Sequence, residues 1–337
     1  MRSPWQNLAK AVSGPFLSAL LMSGGFLLFV MWDQSHWWRI KEDYSFGWLV
    51  PAFVAFVIYD RWAKITAAAA ACAAPGSPRA AGWRGGLLSL LTGGLLTGGV
   101  LVFLLGALLR VSEGLSAPGT AALTLGACAI TVGLLWLNAP PAPAPTAAGL
   151  RDDARVGLIS LFLFPVLVWV VSAPLVASVE ARLNLFLLGR VVSVVSTVFD
   201  VLGLPIEQQG NVLVLPTGRV GVEEACSGIR SLTACLFAGS FLAAVFLDKL
   251  WKKIALVAAA MVLAFLTNLL RGLFLTGWAY RNGADSIEGT VHDTAGYAVL
   301  GLTLVGLLCL LPIFNFKFSG GGDDDAAENP EAGAKTD

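Results

Sequence analysis

Apolar residues run through this chain in long blocks rather than in strict alternation. Eight stretches carry few charges: residues 15–33, 47–63, 85–109, 117–137, 156–176, 228–247, 253–280 and 292–314. At 1.5 Å rise per residue, a helix of about 20 residues crosses a hydrocarbon core ~30 Å thick. The pattern predicts an all-α polytopic membrane protein with about eight transmembrane helices. One stretch reads differently. Residues 182–203 scatter Arg182, Asn184, Arg190 and Asp200 among Leu, Val and Phe, which predicts a short amphipathic helix on the extracytoplasmic membrane surface. The sequence QQGNVLVLPTGRVGVEEACSG then alternates, with turn residues at Gly210–Asn211 and at Pro216–Thr217–Gly218. It predicts a hairpin that delivers the chain to Cys226.

Composition narrows the class. Of 337 residues, 56% are hydrophobic and 13% charged, against about 25% charged in soluble domains. The 22 basic and 22 acidic residues cancel, so no basic face for nucleic acid is indicated and membrane lipids are the expected surroundings. The organisation reads as one transmembrane domain, 1–318, followed by a disordered acidic cytoplasmic tail, 319–337. The first apolar run lacks a small-residue cleavage signal and is read as a retained span. Two Ala/Pro-rich stretches, 67–82 and 138–149, are expected to be irregular connections. An even number of spans puts both termini on one side. That side then holds 13 of the 22 basic residues, Arg61 and Arg79 among them, which makes it cytoplasmic by the positive-inside rule.

Five cysteines (72, 128, 226, 235, 309) form no CxxC pair, and two histidines cannot build a His-rich metal site. No metal or cofactor is called for. Three residues stand apart: Cys226 at the mouth of a span, Arg271 inside one, and His292 at the start of another. An ionisable group within a span costs at least ~2.5–3.5 kcal/mol on insertion scales, so it marks function by default. Counting from Lys253 at the inner side, Arg271 lies 18 residues on, about 27 Å up, near the outer boundary. Cys226 and His292 open their spans on that same side. The three groups therefore share one depth.

That set suits acyl transfer. A thiol at a helix N-terminus is favoured as thiolate by the macrodipole. Arg271 and Arg230 add positive charge, while Glu223 and Glu224 oppose it unless an arginine pairs them. The amides of Ser227 and Gly228 point at any anion at the helix mouth. His292 opens its own helix, where a cation is disfavoured, as a base requires. Asn268 lies three residues before Arg271, on one helix face, placed to orient the guanidinium. Each feature alone has a structural reading: a buried small hydrophobe, a snorkelling arginine, a helix cap. Their coincidence at one depth favours chemistry.

At these residues the chain resembles the exosortase/archaeosortase family of membrane cysteine transpeptidases. EEACSGIRSL resembles that family's cysteine motif, NLLRG (268–272) its arginine motif, and HDTAGY (292–297) its bacterial histidine motif. EDYSFGWLVP (42–51) is similar to its early outer-loop motif, except that Phe46 stands where bacterial members usually have histidine. The resemblance spans roughly 30–315. It implies a bacterial inner-membrane enzyme with its active site facing the periplasm, with Cys226, Arg271 and His292 catalytic. It implies as partners secreted proteins whose C-terminal sorting signal joins a short motif, often Pro-Glu-Pro, to a transmembrane helix and a basic cluster. It implies cleavage near that motif and transfer of the new carboxyl end to an acceptor, either water or a lipid or glycan group, in company with exopolysaccharide production. Two other classes stay open. A transporter would use Arg271 to bind an anion and tolerate loss of Cys226. A non-catalytic component of an exopolysaccharide assembly system would need none of the three residues.

Overall fold

The computed structural model describes residues 13–221, 229–247 and 249–315. The expected tail at 319–337 lies outside the described residues. Ten α-helices are present among the described residues: α1 (Gly14–Ile40), α2 (Val50–Asp60), α3 (Trp62–Ala73), α4 (Gly82–Glu113), α5 (Ala117–Leu137), α6 (Ala154–Ser172), α7 (Ala177–Val201), α8 (Ile229–Phe246), α9 (Leu250–Asn282) and α10 (Thr290–Asn315). Two small sheets accompany them. β1 (Pro78–Ala80) pairs with β2 (Thr146–Ala148), and β3 (Glu207–Gln209), β4 (Val212–Leu215) and β5 (Gly218–Gly221) form a three-stranded sheet in sequence order. The protein is an all-α polytopic membrane protein. Eight helices, α1 and α4 to α10, are each long and apolar enough to cross a membrane.

The span expected at 47–63 is broken. A 3-10 turn, Glu42–Leu49, leads into α2, and α3 follows at a bend of 58°. Arg61 sits at the break. The charge pattern places it in a cytoplasmic loop; the structure instead buries it inside the bundle, 9% exposed. Its Nη1 donates to Leu161 O at 3.3 Å and its Nη2 to Ala244 O at 2.6 Å. The first acceptor has a sequence cause. Pro165 lies inside α6 and has no N–H, so the carbonyl four residues back, Leu161, loses its helical donor. In lipid such an orphan must be satisfied by protein, and Arg61 does so.

Most helices meet at two ends of the bundle. The C-terminal ends of α1, α6 and α9 share the near end with the starts of α5, α8 and α10. Polar contacts mark it. Asp33 of α1, fully buried, accepts from Thr120 Oγ1 of α5 at 2.6 Å and pairs with Arg110 of α4. Trp38 Nε1 donates to Ser172 O of α6 at 3.1 Å, and Ser172 Oγ to Gln34 Oε1 at 2.8 Å. Between α4 and α5, close approach depends on glycine. A Cβ on Gly126 would fall 2.6 Å from Phe103 N, so the small residue sets the helix separation.

α7 passes the length test for a span yet returns to the end it left. Near its start Glu180 pairs with Lys41, just beyond α1, at 2.7 Å. In its last turn Phe199 packs on Tyr280 of α9, ring centroids 6.0 Å apart. Leu188, Val191, Val192, Val195 and Phe199 make its buried stripe, which packs on Leu213, Leu215 and Val220 of the hairpin and on Leu275 and Ala279 of α9. An amphipathic helix is present here, as the residue pattern predicts, but it is 25 residues long rather than short. α1, α4 to α6 and α8 to α10 have the length and apolarity of spans, and the bent α2–α3 pair is a broken span or a re-entrant loop.

The two Ala/Pro-rich connections are not irregular throughout. α3 runs on to Ala73, and the connections pair with each other in parallel, Pro78 opposite Thr146 and Ala80 opposite Ala148. Asp153 fastens this junction to α6. Its carboxylate accepts from Arg155 Nη2 at 2.7 Å, from Ala80 N at 3.0 Å and from Arg155 N at 3.0 Å, with Arg79 at 3.4 Å. Burial by itself pushes the Asp153 carboxyl up, but the Arg155 guanidinium and the backbone donors outweigh it and hold the group down at about 2.

Two outcomes are expected. The depression at Asp153 is worth on the order of 2 kcal/mol. Because the folded value is the lower one, that stability is complete above about pH 4 and is lost as pH falls through about 2. Asp153→Asn is therefore expected to lower the melting temperature in detergent at pH 7, with the gap from wild type closing as pH falls towards 2. Arg61→Leu leaves the Leu161 and Ala244 carbonyls without this donor and is expected to cost about 2–5 kcal/mol, read as a loss of melting temperature.

Candidate active site

Two of the three expected chemical groups meet at the near end. Arg271 comes from the C-terminal half of α9, and His292 is the third residue of α10. Arg271 Nη2 lies 3.0 Å from His292 Nε2 and 3.4 Å from the His292 carbonyl oxygen. A guanidinium has donors only, so His292 Nε2 is the acceptor in this contact. Nδ1 faces the carboxylate of Asp293 at 3.6 Å. On the next turn of α10, Gly296 leaves room for the guanidinium: a Cβ there would sit 3.5 Å from Arg271 Nη2. Arg271 Nε is buried and has no hydrogen-bond partner among the described residues.

The pair stands between two different surroundings. Arg271 lines an apolar groove of about 420 Å³ between α9 and α10, walled by Leu270, Phe274, Val291, Ala295 and Val299. His292 lines a polar cavity of about 260 Å³ with Arg219 and Gly221 of β5 and with Asp285 and Glu288 of the turn before α10. The hairpin is held against α9 by Thr217 Oγ1, which donates to Ala279 O at 3.0 Å. Chemically, this arrangement offers a hydrogen-bond donor of fixed charge and an imidazole side by side, at the boundary of polar and apolar space.

The remaining candidates divide. Cys226, Glu223, Glu224, Ser227 and Gly228 lie outside the described residues. They connect Gly221, on the wall of the polar cavity, to Ile229, the first residue of α8. Asn268 is buried, but the guanidinium's hydrogen bonds among the described residues go to His292 and not to it. The placing of Arg271 therefore rests on α10 rather than on its own helix. Arg230 is also engaged elsewhere. Its guanidinium pairs with Glu42 and reaches Asp43 Oδ1 at 3.3 Å, while Thr233 Oγ1 donates to Asp43 O at 2.9 Å. The early motif thus docks on the first turns of α8. Phe46, at the position of the missing histidine, stacks on Phe237 of α8 with centroids 5.1 Å apart.

Cys72, Cys128 and Cys235 are buried, the first two in apolar clusters, as small hydrophobes are. No group of three metal-ligating side chains occurs among the described residues. Glu42 and Asp43 as partners of Arg230, and Arg219 and Gly221 as walls of the cavity, are not evident from the residue pattern. The only sequence signals for them are the EDYSFGWLVP motif and the hairpin's own alternation.

No curated protein and no solved structure matches the chain. Residues 37–309 match the family model described as transmembrane exosortase, a range that takes in the early motif, the hairpin, Arg271 and His292. The chain belongs to the transmembrane exosortase family.

Proposed function

We propose that this exosortase is a cysteine-dependent transpeptidase or protease that cuts the C-terminal sorting signal of secreted proteins. The observation that carries this reading is the 3.0 Å contact between Arg271 and His292, made across two helices at the end of the bundle where the Cys226 segment joins β5 to α8. In the reaction His292 takes the proton of the Cys226 thiol, and the resulting thiolate attacks the carbonyl carbon of a substrate peptide bond. Arg271 stabilises the negative oxygen that forms, acting where charge develops. The tetrahedral adduct collapses, the C–N bond breaks, and protonated His292 delivers its proton to the leaving amine. This leaves a thioester on Cys226. His292 then takes a proton from the incoming acceptor, which attacks the thioester and frees the thiolate. Water as acceptor makes the reaction proteolysis; a lipid or glycan group makes it transpeptidation.

The substrate class follows from the family together with the two environments at the pair. A signal made of a polar motif such as Pro-Glu-Pro, an apolar helix and a basic cluster needs a polar cavity adjoining an apolar groove. On this reading the near end faces the periplasm across a bacterial inner membrane. Both termini and the substrate's basic cluster lie in the cytoplasm.

The test is a secreted reporter ending in Pro-Glu-Pro, a 20-residue apolar helix and a basic cluster, co-expressed with the enzyme. Cys226→Ala is expected to abolish processing while the protein still accumulates in membranes. His292→Ala and Arg271→Ala are each expected to lower the processing rate by about 10²-fold or more, the usual scale for losing an acid–base group or an oxyanion donor. Full processing by Cys226→Ala refutes the nucleophile.

A further inference from the structure

The last strand of the hairpin turns an open edge toward the cavity that His292 lines. Among the described residues β5 pairs on one side only, with β4, through Leu215–Gly218, Val214–Arg219, Leu213–Val220 and Val212–Gly221. In an antiparallel ladder, opposed residues alternate between pairs that exchange hydrogen bonds and pairs that do not. The turn Pro216–Thr217 has two residues, so the pair that closes it, Leu215–Gly218, exchanges bonds, and so does Leu213–Val220. Arg219 and Gly221 belong to the other set. Their N–H and C=O groups point away from β4, and they have no backbone partner on that side among the described residues. On the opposite flank of the sheet, Val212 and Val214 direct the equivalent groups into pairing with β3.

Both outward-facing residues of β5 line the polar cavity, and His292 is on its wall. A further strand would lie about 4.8 Å from β5, inside that cavity. Past the Arg271–His292 pair the walls turn apolar, in the groove between α9 and α10. A chain that leaves an extended segment as an apolar helix thus finds matching surroundings on both sides of the pair. The chain of β5 itself runs on, within seven residues, through Cys226 to α8.

We propose that β5 is a substrate-docking strand. The polar segment ahead of the substrate's apolar helix adds to the Arg219–Gly221 edge as an extra strand, and the helix beds into the α9–α10 groove. This rests on the acyl-transfer reading for its substrate, and it adds the place and mode of binding. Main-chain pairing holds a peptide without regard to most of its side chains, which suits an enzyme acting on many proteins that share one short motif. It also stretches the peptide out, so that one bond is presented edge-on to the pair.

The first experiment is cross-linking in the Cys226→Ala background, so that binding is read without turnover. A side chain at 221 meets nothing within 4 Å, which makes Gly221→Cys a tolerated probe. Single cysteines are walked through the polar segment of the Pro-Glu-Pro reporter, and disulfide formation is measured under mild oxidation. Cross-linking is expected to rise and fall with a period of two residues, the period of a strand. A flat profile, no cross-linking, or cross-linking of the enzyme only to a second copy of itself overturns the proposal.

The second experiment keeps Cys226. Gly221→Pro deletes one outward N–H and leaves the β4 ladder intact. It is expected to raise the reporter concentration for half-maximal processing about ten-fold, the effect of losing one hydrogen bond and blocking the edge. Gln208→Pro deletes the matching outward N–H on the far edge, β3, and is expected to change it less than about two-fold. Equal effects of the two prolines overturn the docking strand. Because the cross-linking is done without the thiol, it stands or falls separately from the nucleophile assignment.

Discussion

A cation inside an apolar bundle must be handed acceptors by the protein, and this requirement organises the molecule. Arg61 is placed by two backbone carbonyls, one of them orphaned by Pro165. Arg110 is placed by the buried carboxylate of Asp33, which also takes the Thr120 hydroxyl. Arg271 is placed by the ring and carbonyl of His292. Each contact joins one helix to another. With little hydrophobic drive between helices in lipid, such polar contacts and close small-residue packing select one arrangement.

The near end gathers what the bundle positions. α7 arrives from α6 and lies against α9, the hairpin follows on α7, and the chain then passes through Cys226 into α8. The early 3-10 turn reaches the same place from α1 and grips α8 through Arg230 and Thr233. Arg271 and His292 lie where the polar cavity under the hairpin gives way to the lipid-facing groove. A group reacting there is shielded on one side and accessible from the other, which suits chemistry on a membrane-borne chain.

Where the residue pattern and the structure part, the cause is pairing at long range. The stretches 67–82 and 138–149 look irregular because neither has a periodic apolar face. They gain order from each other and from Asp153, a partner no local window contains. Residues 47–63 look like one span because apolar content is blind to the bend at Arg61. Asn268 shares a helix face with Arg271, and spacing makes it the obvious partner; the competing partner comes from another helix. Arg230, one turn beyond Cys226, pairs with Glu42 and Asp43, partners that no local window contains.

Sequence by itself determined the class of fold, the amphipathic helix and the hairpin, and the placing of Arg271 and His292 on two neighbouring apolar helices. These depend on apolar length, period and rise per residue, all of which are local. Tertiary structure alone decided that the guanidinium faces the imidazole at 3.0 Å, that the hairpin's free edge turns toward the same cavity, and that the apolar groove opens beside it. Depth follows from counting along one helix. Direction around the helix axis follows only from which neighbour it packs against.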